Sequence, residues 1–481
     1  MWHYISISGL DFRYLVSYIL IKMRFKLILK KKSKNNFWDG VFMKIKSVIV
    51  VTAIISSMLL TSCTSSDKDS ANSTSQMSAG TSVAGQSNTS ASNSSQVSNE
   101  TASTTLEPSN TTTEASASNS TATTPAPTAN GLQLSPSIKD VKVKAVYLTG
   151  PSGGSSTKVD SIIALAKSTE INTVVLDVKE DGSVNYESDL EMVKKYGEET
   201  KYYKPEELVK KFHDNGIYVI GRIVTFRDKT LAKSRADLGI KTPKGTLWLE
   251  NGKDPWTNPY NEEVWDYNIA IAKEAVSKGF DEIQFDYVRF PTGRKNDFDY
   301  GTSVPAKSEA INGFLAKAEK EIHEGLGVPV SADVFAIIIE SKGDGESIGQ
   351  KIDEVGKDIY CISPMIYPSH YANSSKGIMG NGVGQKINGV TFTKPDLEPY
   401  SVMYNALLSC KTKIAEVPNY KSKVRPYIQA FTARYLSKGY YQTYGAQQIK
   451  EQIKGVYDAG YEEWILWDAS NKYQEAYFEK E

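Results

Sequence analysis

The sequence predicts an α/β protein that folds as a (β/α)₈ barrel over its C-terminal part, preceded by a signal peptide and a disordered tether. Three observations predict this arrangement. Eight apolar, strand-like runs follow one another from residue 143 onward, helix-like segments separate most of them, and a long Ser/Thr-rich stretch precedes the first run. Alternating strands and helices indicate a parallel sheet, and eight repeats indicate that the sheet closes into a TIM barrel.

The predicted strands are nearly continuous in hydrophobicity and rich in β-branched and aromatic residues, as expected of parallel strands covered on both faces. Most consecutive strands begin about 30 or more residues apart, which leaves room for a crossover helix. The strands are Val143–Thr149, Thr173–Lys179, Tyr218–Thr225, Glu282–Phe290, Pro329–Phe335, Asp358–Tyr367, Arg425–Thr432 and Glu463–Ala469.

Helix-like segments lie between most of these strands. Ser155 to Thr157 form a capping-type start for the first. Pro205 opens the second and Gly216 closes it, in agreement with the positional preferences of the two residue types. The predicted helices are Lys158–Ser168, Pro205–Asn215, Glu262–Lys278, Lys307–Leu326, Ile348–Val355, Leu397–Ala415 and Ala446–Ala459.

A doubly wound open sheet is the alternative fold. Such sheets commonly carry a Gly-rich phosphate-binding turn after the first strand, and the glycine-rich segment 150–154 follows the first strand here. The segment lacks the dinucleotide-binding spacing and the later acidic partner. We therefore interpret it as a loop.

Residues 43–62 have the layout of a secretory signal peptide. Lys44 and Lys46 precede an apolar run, Ser47–Leu60, that is short for a bilayer span. The following Leu60-Thr61-Ser62-Cys63 resembles the bacterial lipobox. This resemblance implies that Cys63 is modified with lipid that includes a palmitate chain. The lipid would anchor the protein, as an extracytoplasmic lipoprotein, to the cell membrane. A plain signal peptide or a membrane anchor is the alternative.

The other segments outside the barrel have simpler interpretations. We expect translation to start at Met43, which leaves residues 1–42 outside the native protein; a genuine extra membrane segment at Tyr14–Lys32 is the alternative. Residues 63–137 are dominated by small and polar residue types, cannot bury enough apolar surface to fold, and predict a flexible tether. The predicted barrel domain is 138–481.

Composition narrows the classes of partner. Fifty-six basic residues balance 56 acidic ones, so no bulk charge indicates nucleic acid. Twenty-eight Tyr against four His disfavour a His-built metal site and favour a surface for sugars or peptides, so we expect a carbohydrate partner, a monomer, and neither metal nor cofactor. We expect Cys361 and Cys410 to be buried free thiols, with a bridge between them left open.

Carboxylates fall late in several of the apolar strands, where burial is costly unless they are paired or functional. Asp177, Asp286, Asp333 and Asp468 could converge at one mouth of the barrel, where such folds place their chemistry. Two convergent carboxylates are the minimum requirement for glycoside hydrolysis. We expect Asp286 to be the principal catalytic carboxylate, with Asp333 the first choice of partner and Asp177 the second. Asp–Arg pairs that only brace the rim are the alternative.

Residues near these carboxylates predict charge tuning and sugar contacts. Arginines could keep one carboxylate ionised, and Trp and Tyr faces stack on the apolar faces of sugar rings. The long loop from residue 227 to 261 contributes two tryptophans, and such loops shape barrel clefts. The predicted substrate-binding residues are Arg222, Arg289, Tyr287, Tyr367, Gln429, Trp467, Asp468, Trp248 and Trp256.

Four motifs carry a family resemblance: VKAVYLT at 143–149, NTVVLDVK at 172–179, GFDEIQFDYVRFP at 279–291 and SPMIYP at 363–368. With these motifs the chain resembles the bacterial glycoside hydrolase domain family formerly catalogued as a domain of unknown function, within the TIM-barrel glycosidase group. The resemblance covers about Val143 to Trp467 and implies carbohydrate activity without fixing the substrate. Asp286 is similar in position to the nucleophile or acid of barrel glycosidases.

These patterns predict a cell-surface lipoprotein glycoside hydrolase acting on a poly- or oligosaccharide. A non-catalytic carbohydrate- or wall-binding lipoprotein on the same scaffold is the first rival. A metal-dependent hydrolase such as a polysaccharide deacetylase is the second. It needs His ligands, and none of His213, His323 and His370 lies on a predicted strand.

Overall fold

The computed structural model describes residues 141–371 and 385–480. The expectations for residues 1–42, the signal peptide 43–62 with Cys63, and the tether 63–137 lie outside the described residues. Within the described part, no helix is both long and apolar enough to cross a membrane.

Eight parallel strands form a closed barrel in simple sequential order, which confirms the predicted fold. The first strand pairs with both the second and the last, so that Val146 lies opposite Val174 on one side and Leu466 on the other. The strands are β1 Lys144–Leu148, β2 Thr173–Glu180, β3 Tyr218–Val224, β4 Glu282–Asp286, β5 Val330–Phe335, β6 Cys361–Met365, β7 Tyr427–Gln429 and β8 Trp464–Trp467.

Helices surround the barrel in the crossovers. They are α1 Gly150–Gly153, α2 Ser156–Ser168, α3 Glu191–Tyr196, α4 Pro205–His213, α5 Lys229–Ser234, α6 Glu262–Ser277, α7 Lys307–Ala318, α8 Ile337–Glu340, α9 Lys342–Ile348, α10 Pro399–Ala415 and α11 Ala446–Asp458. A π-helical segment, Glu319–Glu324, continues α7. Short paired strands decorate the loops: Ser183–Val184, Glu198–Glu199, Leu249–Glu250, Asp254–Pro255, Gln385–Ile387, Val390–Phe392 and Lys423–Val424.

Three predicted elements differ from the structure for local reasons. The fourth strand ends at Asp286, four residues early, because Tyr287 adopts a left-handed φ of 51°. The helix predicted over Ile348–Val355 is wrong: α9 ends at Ile348, where Gly349 takes a left-handed φ of 79°. The segment interpreted as a loop forms α1, which the Thr149 side chain caps by accepting a hydrogen bond from the Ser152 amide.

Polar side chains lie inside the barrel near the amino ends of its strands, which we call the lower end. Arg425 donates to Glu282 at 2.7 Å and to Glu463 at 2.8 Å. One layer higher, the Tyr427 hydroxyl donates to Gln284 at 2.6 Å. Buried polar groups are tolerated when they satisfy one another, so these layers form a polar floor beneath the mouth.

Both barrel cysteines are buried free thiols, which confirms the expectation and removes the alternative of a bridge. Cys361 lies in β6 and Cys410 in α10. Burial raises the pKa of each thiol to about 12, so both stay protonated and unreactive.

Candidate active site

The guanidinium of Arg222, on β3, is the centre of a carboxylate cluster at the mouth of the barrel. Nη1 donates to Asp177 and to Glu180, each at 2.6 Å. Nη2 donates to Asp286 at 2.6 Å, and Nε donates to the same oxygen at 3.1 Å. Asp333 lies 4.0 Å from Nε. Three of the four carboxylates expected to converge, Asp177, Asp286 and Asp333, lie around Arg222, and Glu180 joins them. The fourth, Asp468, instead binds Ser470 and Lys472.

An irregularity in β2 explains how Glu180 reaches this cluster. Asp177 pairs with Arg222 across the sheet and Lys179 with Ile223, so that Val178 is an extra residue in β2. In a regular strand, residues three apart point to opposite faces. The bulge shifts the alternation by one and turns both Asp177 and Glu180 towards the interior. Lys179 faces outward and binds Asp228 at 2.8 Å.

Asp177 is held from two sides. One carboxyl oxygen accepts from Arg222, and the other accepts from the Tyr147 hydroxyl at 2.5 Å. Burial raises its pKa to about 7, and the nearby Glu180 adds to this, although Arg222 and the Tyr147 hydrogen bond act in the opposite direction. The carboxyl can therefore exchange a proton near neutral pH.

Asp286 is oriented by the backbone amide of the next residue. The amide of Tyr287 donates to Asp286 Oδ1 at 2.6 Å, while Arg222 binds Oδ2. Tyr287 is one of the non-glycine residues with positive φ, a conformation that is costly for a bulky side chain and is often found at functional sites. The Tyr287 ring lies 5.1 Å from the guanidinium carbons of both Arg227 and Arg289.

Asp333 is as deeply buried as Asp177. Its side chain is almost fully buried, and Oδ1 has no hydrogen-bond partner among the described residues. Burial and the charge of Asp286 raise the pKa of Asp333 well above its usual range. The buried Asp333 carboxyl therefore favours its protonated form more strongly than an exposed carboxyl does.

A cleft of about 490 Å³ opens over one side of the cluster. The rings of Tyr147 and Trp467 stack at 3.8 Å in its wall, and both lie within 6 Å of the Arg222 guanidinium carbon. Its volume is within the range of small-molecule sites. The residues that line it are Tyr147, Thr149, Gly150, Pro151, Asp177, Glu180, Ser183, Asn185, Thr200, Tyr202, Arg222, Tyr287, Trp467 and Ala469.

Several predicted substrate-binding residues have other contacts. Arg289 forms no ion pair with any described residue; it packs 4.2 Å from the Phe335 ring and 5.0 Å from Trp256. Trp256 is fully buried, which puts it out of reach of a ligand in the cleft. Trp248 is half-buried against Phe298. Long-range packing of the 227–261 loop thus turns these tryptophans inward.

Three residues at other strand ends have their polar groups occupied or covered. Gln429 is buried, and its amide donates to Asp396 and accepts from the Ser369 backbone. Asp468 caps a turn by accepting from the backbone amides of Ser470 and Lys472. Tyr367 is buried at the end of β6 against His370 and Phe431. Their observed roles are structural in this conformation.

The histidines are dispersed. His213 contacts Asp281 at the opposite end of the barrel, and His323 contacts Glu319 in the π-helical segment. Burial lowers the pKa of His370 to about 4, so it is neutral at physiological pH. Within residues 141–371 and 385–480, no group of three His, Cys, Asp or Glu side chains has an arrangement suited to a metal ion.

Three solved structures illustrate the similarities. A hypothetical protein from Ruminiclostridium thermocellum is 44% identical over 39% of this chain and 97% of its own, with a TM-score of 0.37. The PgaB (BpsB) glycoside hydrolase domain from Bordetella bronchiseptica is 9% identical over 68% and 94%, with a TM-score of 0.49. The spore cortex-lytic enzyme SleL from Bacillus megaterium is 13% identical over 70% and 72%, with a TM-score of 0.39.

No curated protein matches the chain. A family model described as "Putative glycosyl hydrolase domain" matches residues 145–473, from β1 to just beyond β8. The match spans more than half of the chain and contains every residue of the Arg222 cluster. The chain therefore belongs to this family of putative glycosyl hydrolase domains.

Proposed function

We propose that the protein hydrolyses glycosidic bonds of a poly- or oligosaccharide in the cleft beside Arg222. The observation that carries this proposal is one guanidinium that binds Asp177, Glu180 and Asp286 at 2.6 Å each, at the mouth of the barrel. Glycosidases need one carboxyl group that donates a proton and one that attacks the sugar or activates water. The cluster supplies both from neighbouring strands.

Asp286 is the principal catalytic carboxylate in this proposal. The two contacts from Arg222 hold Oδ2 of Asp286, and the Tyr287 amide holds Oδ1, so that both oxygens have a fixed orientation. An ionised, oriented carboxylate can attack the anomeric carbon or deprotonate water. Asp333, the first partner expected from the sequence, lies 4.0 Å from Arg222 and does not line the cleft, whereas Asp177 lies in its wall.

Aromatic faces in the same wall would bind the sugar. Tyr147, Trp467 and Tyr287 line the cleft, and Tyr202 at its edge is 45% exposed. Flat apolar faces favour stacking with the C–H face of a pyranose ring, while Glu180 and Arg222 can pair with its hydroxyls. These contacts favour a carbohydrate over a purely apolar ligand.

The place of action proposed for the enzyme is the outer face of the bacterial cell membrane. The support is the sequence of residues 43–63, which combines a basic start, an apolar run and a lipobox-like Cys63. A lipid on Cys63 followed by a flexible tether would hold the barrel near surface polysaccharides. A monomer suffices for this arrangement.

The experiment is a hydrolysis assay of residues 138–481 against a panel of bacterial wall, capsular and storage glycans, with reducing ends and released acetate both measured. New reducing ends that persist in the presence of a chelator support the proposal. Tight glycan binding without new reducing ends would show the non-catalytic rival. Released acetate that disappears with the chelator would show a metal-dependent deacetylase.

A further inference from the structure

Glu180 differs from the other carboxyl groups of the Arg222 cluster in its access to solvent. Its side chain is 38% exposed and lines the cleft, whereas the side chains of Asp177 and Asp286 are 1% and 7% exposed. A proton donor must touch the glycosidic oxygen and must recover its proton from water in every cycle. Glu180 lines the cleft in which such an oxygen would lie, and it is open to water.

The hydrogen bonds to the carboxyl oxygens of the cluster also single out Glu180. Both oxygens of Asp177 and both oxygens of Asp286 already accept hydrogen bonds within the protein. Glu180 uses only Oε2 to bind Arg222, and Oε1 has no partner among the described residues. Oε1 is therefore available to a ligand in the cleft.

We propose that Glu180 is the general acid of the hydrolysis assigned above to Asp286, an inference that rests on that proposed function. Glu180 and Asp286 bind different nitrogens of one guanidinium, Nη1 and Nη2. Carboxyl pairs in glycosidases are separated by roughly 5–10 Å. A single bridging guanidinium can hold two carboxyls at such a separation.

In the proposed step, Glu180 gives a proton and Asp286 directs the new bond. The proton on Glu180 passes to the glycosidic oxygen while the bond from that oxygen to the anomeric carbon breaks, and the leaving sugar departs as an alcohol. Asp286, or a water that it deprotonates, forms the new bond to the anomeric carbon. In the first case, water then adds to the anomeric carbon, gives its proton to Glu180 and releases Asp286. In the second case, Asp286 releases the proton it took to solvent, and Glu180 takes one from solvent. One water is consumed.

The cluster as a whole can retain this proton. Asp177, Glu180 and Asp286 share the single positive charge of Arg222, so full ionisation would leave uncompensated negative charge in a largely buried site. Burial holds one such proton on Asp177, whose pKa is raised to about 7, and Asp177 and Glu180 bind the same nitrogen of Arg222. Of these two carboxyls, Glu180 is the more exposed to the solvent of the cleft.

Leaving-group dependence tests this role. The variant Glu180→Gln keeps the size of the side chain and an oxygen for Arg222. Two substrates are compared: the panel glycan that the wild type cleaves fastest, and the 2,4-dinitrophenyl glycoside of the sugar it releases. We expect kcat/KM for the glycan to fall about 100- to 10,000-fold. For the dinitrophenyl glycoside, whose leaving group needs no proton, we expect a fall of less than about tenfold.

Asp181→Asn is the matched control. Asp181 adjoins Glu180, has the same 38% exposure and is also paired with an arginine, but it binds Arg227 and Lys229 and does not line the cleft. We expect its kcat/KM to stay within about threefold of the wild type on both substrates. Equal losses on both substrates in Glu180→Gln would overturn the acid role, and so would an active Glu180→Gln on the glycan. If Asp286→Asn is inactive at the same time, the proposed function survives; if the wild type cleaves no glycan, both proposals fail.

Discussion

Asp177 of β2 and Arg222 of β3 lie opposite one another across the sheet, and their side chains meet at 2.6 Å inside the barrel mouth. This contact begins a chain of charges that continues through the same guanidinium to Asp286 on β4. Three adjacent strands thus contribute one connected cluster. Mutation of the cluster and changes in pH should therefore alter the stability and the activity of the protein.

Removing the central cation should destabilise the fold. In Arg222→Met the buried carboxyls lose their compensating charge, and we expect the free energy of unfolding at pH 8 to fall by about 3–5 kcal/mol. The loss should be smaller at pH 5, because protonated carboxyls need no compensation. Arg235→Met is the control, since Arg235 binds Asp237 and Glu263 at the surface, where water screens ion pairs and their removal changes stability little. Urea titrations at both pH values measure the difference; equal losses in the two variants would refute the account of the cluster.

Asp177 should give a defined pH dependence of stability. Its folded-state pKa is raised to about 7 from a usual 3.8, mainly by burial, so the folded state binds this proton more tightly than the unfolded state. The stabilisation is therefore full below about pH 4 and is lost as the pH rises through 7. Relative to Asp177→Asn, the wild type should lose stability between pH 4 and pH 8. A flat difference across this range would contradict the pKa shift, and Asp160→Asn, at an exposed carboxyl, provides the baseline.

The left-handed conformation of Tyr287 predicts that a glycine at this position is more stable than an alanine, the reverse of the usual order. Tyr287→Ala removes the ring but keeps a side chain at a left-handed φ, whereas Tyr287→Gly removes the ring and the strain together. We expect the Gly variant to be more stable than the Ala variant by about 1 kcal/mol. At an ordinary φ the order is the reverse. Thermal unfolding of the two variants measures it, and an Ala variant at least as stable as Gly would exclude strain at this position.

The sequence was sufficient for the fold and for part of the cluster. Continuous apolar runs identify the eight strands, and Asp177, Arg222 and Asp286 are conspicuous as charges inside such runs. Glu180 could not be recognised as a member of the cluster from the sequence. A bulge at Val178 changes which side chains face inward, and the alternation of a regular strand does not predict a bulge. An acidic residue directly after an apolar strand was the only available signal.

Other site residues depended on contacts between distant segments. Trp256 is of a residue type that can stack on sugar rings. It is buried, however, because it packs against Tyr287 and Arg289, which belong to the next crossover. The side chain of Gln429 is hydrogen-bonded to Asp396 and Ser369, which lie in two separate 3₁₀ helices of the crossover before β7. A single sequence does not encode such pairings in any local pattern.

The proposed lipid anchor makes a prediction of its own. Cys63→Ser should abolish incorporation of labelled palmitate and move the protein from the membrane fraction to the medium or the periplasm, because one modified cysteine provides the attachment. Cys410→Ser, at a buried thiol of the barrel, is the control and should leave both unchanged. Persistent membrane association of Cys63→Ser would instead indicate a membrane-spanning segment.

The central claim is that Asp286 carries out the chemistry at the Arg222 cluster, and Asp286→Asn tests it most directly. The amide keeps the shape of the side chain and can still accept a hydrogen bond from Arg222, so the melting temperature should stay close to that of the wild type. On the panel glycan that the wild type cleaves, we expect kcat to fall about a thousandfold or more while the glycan still binds. A folded Asp286→Asn protein with wild-type kcat would contradict the account.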